Sequence, residues 1–323
     1  MMRTFPGCTA LTVFLTAMPS LVRADVTIRY TFETSSPMMP AAGKAHPMVI
    51  YMKGNKGVTV VDTQTTIVDF ARQQVTIIDG ARKKYATISA AEYAGKMASE
   101  TAAIMPDTSG IPGVADMLKS MKTSCDTNNS AATETIQGVQ GTEHEVACTM
   151  TMTMPDNMKA VMPSMALKMV SRVWSAAPGE RLRVPGLWQL SGYELWQNYF
   201  MNPVGAMGKL LPEGIKPMIE AMQKDQSAVL RASTEISMNM PMPGLPAGDT
   251  PFMTMKEEMT GLSTELLDDA LFAVPSDYSE EPFEAVMSGI TDAAMAAVKA
   301  DMEKSGGAGG AGWAFGPAAV PAK

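Results

Sequence analysis

The chain has 323 residues, 46% of them apolar, and its 26 basic and 33 acidic side chains give a formal net charge of −7. That is enough apolar material to fill one large packed domain or two small ones. A surface this acidic repels phosphate backbones, which excludes nucleic-acid binding carried by electrostatics.

The first segment combines one early positive charge, Arg3, with an apolar stretch from Ala10 to Val22 and the small-residue ending Val22-Arg23-Ala24 before Asp25. This is the order of a secretory signal peptide cut after Ala24. A bilayer span needs about 20 apolar residues, and this run is shorter and broken by Pro19. Cleavage leaves 299 residues and, with Arg3 and Arg23 gone, a net charge of −9. Cys8 is lost with the leader, and a lipid attachment there is disfavoured because Phe5-Pro6-Gly7 offer no apolar region upstream. The two remaining cysteines, Cys125 and Cys148, read as one disulfide in an oxidising compartment. The mature protein is thus expected to be periplasmic or secreted, with no integral membrane span.

From 47 to 93, short β-branched runs alternate with polar turns: Met48 to Met52, Val58 to Val61, Thr65 to Phe70, Val75 to Asp79 and Tyr85 to Ser89. Spacing this tight predicts antiparallel hairpins. Within it Ile67-Val68-Asp69-Phe70-Ala71-Arg72-Gln73-Gln74-Val75 is echoed ten residues later by Ile77-Ile78-Asp79-Gly80-Ala81-Arg82-Lys83-Lys84-Tyr85, so two consecutive turns of the same kind are expected. Two copies are too few for a solenoid.

Helices are predicted over Ala90 to Ala103 and Ile111 to Lys122, separated by Pro106 and Gly110. Strands resume at Glu134 to Val139 and Glu143 to Met154, joined near Gly141, and at Leu167 to Ser175. In this reading the strand carrying Cys148 is stapled to the region just after the second helix. Residues 190–224 form a Met- and Leu-rich helical stretch interrupted by Pro203, Pro212 and Pro217. Strand character returns at Ala228 to Met240 and Pro251 to Leu266. A last helix is expected from Glu281 to Lys304, and the Gly-, Ala- and Pro-rich tail from Ser305 to Lys323 reads as disordered.

Several landmarks, taken in order, resemble the secreted DUF4412-like proteins and the wider LolA-like group. They are Val26-Thr27-Ile28-Arg29-Tyr30, Tyr51-Met52-Lys53-Gly54-Asn55-Lys56, Ile67-Val68-Asp69, Lys84-Tyr85, Ile136-Gln137-Gly138 leading to Cys148, Val173-Trp174-Ser175 with Pro178-Gly179, and Phe272-Ala273-Val274-Pro275-Ser276-Asp277-Tyr278. The resemblance implies a curved antiparallel half-barrel wrapped round helices and enclosing an apolar cavity. In LolA-like carriers that cavity holds acyl chains of lipoproteins or other lipids; the DUF4412-like branch has no established activity. The Met- and Ala-rich helical insertions and the long tail depart from a compact carrier.

Methionine is the compositional outlier, with 31 in the chain and 28 beyond the leader. Met150, Met152 and Met154, then Met238, Met240 and Met242, then Met253 and Met255 with Met259 beyond, have strand spacing, which turns each set to one side. Three readings follow. The face is core, where flexible thioethers fill gaps; or it is an adaptable wall for a lipophile; or it is a thioether site for Cu(I), using Met150, Met152, Met154 and His144. The two histidines, His46 and His144, otherwise read as solvated side chains.

Residue supply argues against a hydrolase: there is no G-x-S-x-G elbow, no H-E-x-x-H and no Walker loop. The Gly306-Gly307-Ala308-Gly309-Gly310 run has no helix after it to bind phosphate. An acid–base pair of carboxylates stays open. Trp174, Trp188, Tyr193, Trp196, Tyr199 and Phe200 read as core or as a lid over a cavity mouth, with Trp196 and Phe200 on one helix face.

The expectation is therefore an α+β protein: a leader over 1–24, a LolA-like domain over 25–280 with a strongly curved antiparallel sheet wrapped round helices, a C-terminal helix over 281–304 and a tail over 305–323. The expected role is non-catalytic binding or carriage of a lipid or lipoprotein acyl chain, with no cofactor. Candidate cavity residues are Met150, Met152, Met154, Met238, Met240, Trp174, Trp196 and Phe200. The alternatives are Met-based Cu(I) binding and a structural or interaction protein whose tail engages a partner.

Overall fold

The computed structural model describes residues 25–36, 45–96, 120, 122–153, 164–184, 228–239 and 250–304. The β-branched runs near the N-terminus form β1 (Val26–Ser35), β2 (Ala45–Lys53), β3 (Lys56–Val61), β4 (Gln64–Asp69), β5 (Gln74–Asp79) and β6 (Lys84–Ser89). From β2 to β6 each strand pairs antiparallel with the next, the meander that the short turns dictate.

The ten-residue echo becomes two turns of one design. After β4, Asp69 Oδ1 accepts the Arg72 amide at 2.9 Å, and after β5, Asp79 Oδ1 accepts the Ala81 and Arg82 amides at 3.1 Å. Gln73 and Lys83, at the same place in each unit, take φ of 53° and 56°. That left-handed conformation is uncommon outside glycine, and here the paired strands on either side hold it.

Further along lie β7 (Lys122–Ile136), β8 (Val139–Thr153), β9 (Ser164–Ala176), β10 (Val229–Asn239), β11 (Thr250–Ser263) and the two-residue β12 (Ser279–Glu280). Helical residues are α1 (90–96), α2 (Glu180–Arg183) and α3 (Phe283–Lys304), with a 3-10 turn at Asp269–Phe272. All twelve strands join one open sheet in the order β12-β6-β5-β4-β3-β2-β1-β11-β10-β9-β8-β7. The first strand sits in the middle. One wing is built outward from it by the meander, and the other is built inward from β7 at the far edge to β11 beside β1. Only β12 is parallel to its neighbour, and it covers the outer edge of β6.

The meander wing is buried on both sides, because alternate residues of its strands are apolar in both directions. On one side Val26, Ile28, Tyr30, Ile50, Met52 and Val68 share a core with Ile136, Val139, Leu230 and Met259 of the other wing. On β5 and β6 the same side carries Val75, Ile77 and Ala86, which take α1 through Ala90 and Tyr93 and α3 through Phe283 and Val286. Each valine, isoleucine, methionine or phenylalanine among them stabilises by about 1.5–3 kcal/mol when fully buried. On the opposite side Val58, Ile67 and Ile78 are covered by Phe272, Leu267, Val274 and Tyr278.

Two expectations are corrected. Strand β7 begins at Lys122, twelve residues before the strand start read at Glu134, so the run expected to end a helix starts a strand. Its sequence is polar, without the apolar alternation that marks a strand, because it lies at the sheet edge and its conformation is imposed by pairing with β8. The β7–β8 turn is at Gln137–Gly138, both with positive φ (49° and 78°), rather than near Gly141. Gly141 lies inside β8, where a Cβ would stand 2.9 Å from Leu230 Cδ1. Of the helix predicted over Ala90 to Ala103, residues 90–96 are helical; the rest, most of the second predicted helix, the 190–224 stretch and the tail lie outside the described residues.

Candidate functional site: a methionine-rich face

Cys125 and Cys148 are direct cross-strand partners joined by a disulfide, with Cα atoms 4.1 Å apart. The bond ties the edge strand to its neighbour, and Cys148 is buried with Val146 and Met169. The expected pairing therefore holds, although the staple runs strand to strand.

From the disulfide the register carries one side of the sheet across the whole second wing. Cys125 stands opposite Cys148, Cys148 opposite Met169, Met169 opposite Ile236 and Ile236 opposite Met253. The next row toward the β8 C-terminal end runs Thr123, Met150, Leu167, Met238 and Thr250. Since alternate residues of a strand share a side, Met152 falls with Met150, and Met255 and Met259 fall with Met253. Tyr30 pairs with Met259, so this face runs on into the core of β1 and β2. The described members of the three methionine sets thus meet on one face, joined by Met169, which the spacing argument had not singled out.

Burial along this face is graded. Met259, Met169 and Met152 are buried, while Met150, Met238, Met253 and Met255 are half-buried and Phe32 on β1 is exposed. The opposite side of the wing is charged: Arg172 pairs with Glu145 at 2.9 Å, and Arg231 bridges Glu134 and Glu258, each at 2.9 Å. This contrast between an apolar and an ionic side is the two-faced character of an antiparallel sheet.

One carboxylate breaks the apolar side. Glu257 lies between Met255 and Met259 on β11, opposite Phe32 of β1 and Ala232 of β10. Burial pushes its carboxyl upward from the ordinary glutamate value, since removal from water penalises the ionised form. Of the other polar groups here, Tyr30 Oη donates to the Val229 carbonyl at 2.8 Å and the Ser171 and Thr234 hydroxyls bond each other at 2.9 Å, while the buried Thr123 and Ser175 hydroxyls have no hydrogen-bond partner among the described residues.

Of the predicted cavity residues, Met150, Met152 and Met238 are brought onto this face. Trp174 is not among them: it stands seven positions along β9 from Leu167, about 23 Å in an extended strand, and packs against the β1–β2 core. Met154, Met240, Trp196 and Phe200 lie outside the described residues. His144 is six positions from Met150 on β8, about 20 Å away, and its Nδ1 is 3.0 Å from Asn129 Oδ1. His46 Nδ1 lies 3.2 Å from Asp62. Among the described residues no three His, Cys, Asp or Glu side chains gather as a metal site.

No protein-family model matches the chain, and no curated protein matches it.

A cleft of about 540 Å³ lies on the other side of the meander wing, lined by Lys53, Asn55, Lys56, Asp69, Asp269 and Phe272 among others. Lys53 closes one wall by bonding Asp269 at 2.8 Å and the Leu267 carbonyl at 2.6 Å. The Asp269 hydrogen bond raises the Lys53 pKa, and the Lys53 ammonium lowers that of Asp269. Asp25 accepts the Leu267 amide at 2.8 Å. This cluster fastens the 264–272 segment over the sheet, and sequence spacing gave no sign of it because the partners come from three distant parts of the chain.

Proposed function

We propose that this protein is a non-catalytic carrier or receptor for a lipophilic ligand of the bacterial envelope, and that the methionine-rich face is where the apolar part of that ligand lies. The supporting observation is the register that aligns thioethers from β8, β9, β10 and β11 on one side, graded from buried to half-exposed. Unbranched thioether side chains repack round varied apolar shapes. From β7 to β1 the face crosses five strand spacings, about 24 Å, which is room for an extended hydrocarbon chain.

The open antiparallel sheet with helices packed on it agrees in outline with a LolA-like half-barrel, and we assign the chain to that architecture as part of the same proposal. Export by the N-terminal leader belongs to it too, supported by the disulfide, since such bonds persist in oxidising compartments. Among the described residues no helix is long and apolar enough to cross a membrane.

The test is displacement of an environment-sensitive apolar dye by a single-chain lipid from the mature protein. Met238→Asp and Met255→Asp each place a charge on the face at half-buried positions and are expected to weaken binding by ~10-fold or more, since a buried unpaired charge costs well over 1.4 kcal/mol. Glu235→Gln, on the other side of β10, is expected to leave it unchanged. Unaltered binding by both aspartate variants contradicts the assignment.

A further inference from the structure

The methionine-rich face is apolar enough to hold a hydrocarbon chain of any origin, so its chemistry alone selects no head group. Glu257 does. It projects to the same side as Met255 and Met259, with Phe32 on β1 and Ala232 on β10 directly opposite it, so both of its paired neighbours are apolar, and the nearby Tyr30 and Thr234 hydroxyls are bonded to the Val229 carbonyl and to Ser171. Among the described residues no cation stands within ion-pair distance of it: Arg231, one residue from Ala232, is turned to the other side, where Glu134 and Glu258 both hold it. The desolvation that raises the Glu257 pKa has no compensating partner beside it.

A carboxylate placed in apolar surroundings costs free energy unless something pairs with it. Strand β11 carries methionine at 253, 255 and 259 on either side of this position and breaks the pattern here with a carboxylate. We infer that Glu257 is the polar anchor of this face and that the ligand is an amphiphile bearing a primary ammonium head, whose hydrocarbon chain extends across the methionines of β8 to β11. This rests on the carrier reading above and narrows it to one class of head group. An ammonium supplies both the charge and the hydrogen-bond donors that the carboxylate lacks, and charge-assisted hydrogen bonds are roughly twice as strong as neutral ones. A fatty carboxylate would bring a second negative charge to the same place and is disfavoured.

The experiment compares dodecylamine, dodecanol and laurate by isothermal titration against the mature full-length protein. The amine and the alcohol share one dodecyl chain, so the difference between them reports the head. The amine is expected to bind ~10-fold or more tightly than the alcohol, with laurate weakest, as a charge-assisted hydrogen bond outweighs a neutral one. In Glu257→Gln the preference for amine over alcohol is expected to fall to near unity, with alcohol affinity within about twofold of the original. Equal binding of amine and alcohol by the unaltered protein overturns the anchor while leaving the apolar face standing. A preference that survives in Glu257→Gln overturns it too. Failure of all three probes to bind overturns the carrier reading itself, and the unaltered protein alone suffices for that comparison if the variant does not fold.

Discussion

Reducing the Cys125–Cys148 disulfide isolates one term of stability without changing a side chain. The bond closes a loop of sequence separation 23, and the chain-entropy relation puts the loss on reduction at about 3 kcal/mol, through a less restricted unfolded state. Because β7 is the sheet edge and has β8 as its one paired neighbour among the described residues, a local consequence is expected as well. Urea unfolding of the same chain with and without reductant is the assay, read as the difference in extrapolated free energy. For a protein of this size, 3 kcal/mol corresponds to a drop in Tm of about 6–12 °C. Hydrogen exchange in the reduced protein should rise in β7 before it rises in β4 or β5. A difference under about 1 kcal/mol, or uniform exchange across the sheet, refutes the reasoning that the bond acts on the unfolded chain and anchors this edge.

Three further outcomes are expected. Glu257 has a raised pKa in the folded protein, so the folded state holds its proton more tightly than the unfolded chain, and stability from this group declines as pH rises through and above the ordinary glutamate value near 4.3. Glu257→Gln should match the parent Tm in acid and exceed it by a growing margin toward neutrality; a constant margin at all pH values contradicts the burial. Arg82 hydrogen-bonds buried Asp79 at 2.6 Å and the Ala285 and Val286 carbonyls of α3, passing so close to Gly289 that a Cβ there would meet its guanidinium. Gly289→Ala should therefore loosen α3 in the parent, seen as faster proteolysis, yet stabilise by about 1 kcal/mol in an Arg82→Ala background, where only helix propensity remains; the same sign in both backgrounds would count against the clamp. Lys53→Met should release the 264–272 segment and speed exchange at the Leu267 amide, and unchanged exchange there would show that Asp25 alone holds it.

The meander was legible because each of its strands is buried on both sides, so β-branched residues recur without interruption and the turns stand out as polar. The echo at 67–85 was legible down to its Asp-x-Ala-Arg turns, since a turn is a local object. Strand β7 was not: Thr123 to Thr135 carry little apolar pattern, and their extended form comes from pairing with β8, information that is non-local. Methionine spacing predicted a common side for Met150 with Met152 and for Met253 with Met255 and Met259, as the pairing shows. That the described members of the sets share one face needed the register of three strand pairs, β8–β9, β9–β10 and β10–β11, which no single segment contains. Glu257 was passed over for the same reason, as one acidic residue in the Lys256-Glu257-Glu258 run until pairing turned Glu258 to Arg231 and Glu257 to the methionines.

The most direct measurement of the central claim is native mass spectrometry of the mature protein purified from an oxidising envelope, before and after solvent extraction and chelation. The account predicts a lipid-sized adduct that solvent removes and chelation does not, and that is reduced in Met255→Asp. A copper-sized adduct removed by chelation, or a bare chain whose mass neither treatment changes, would contradict it.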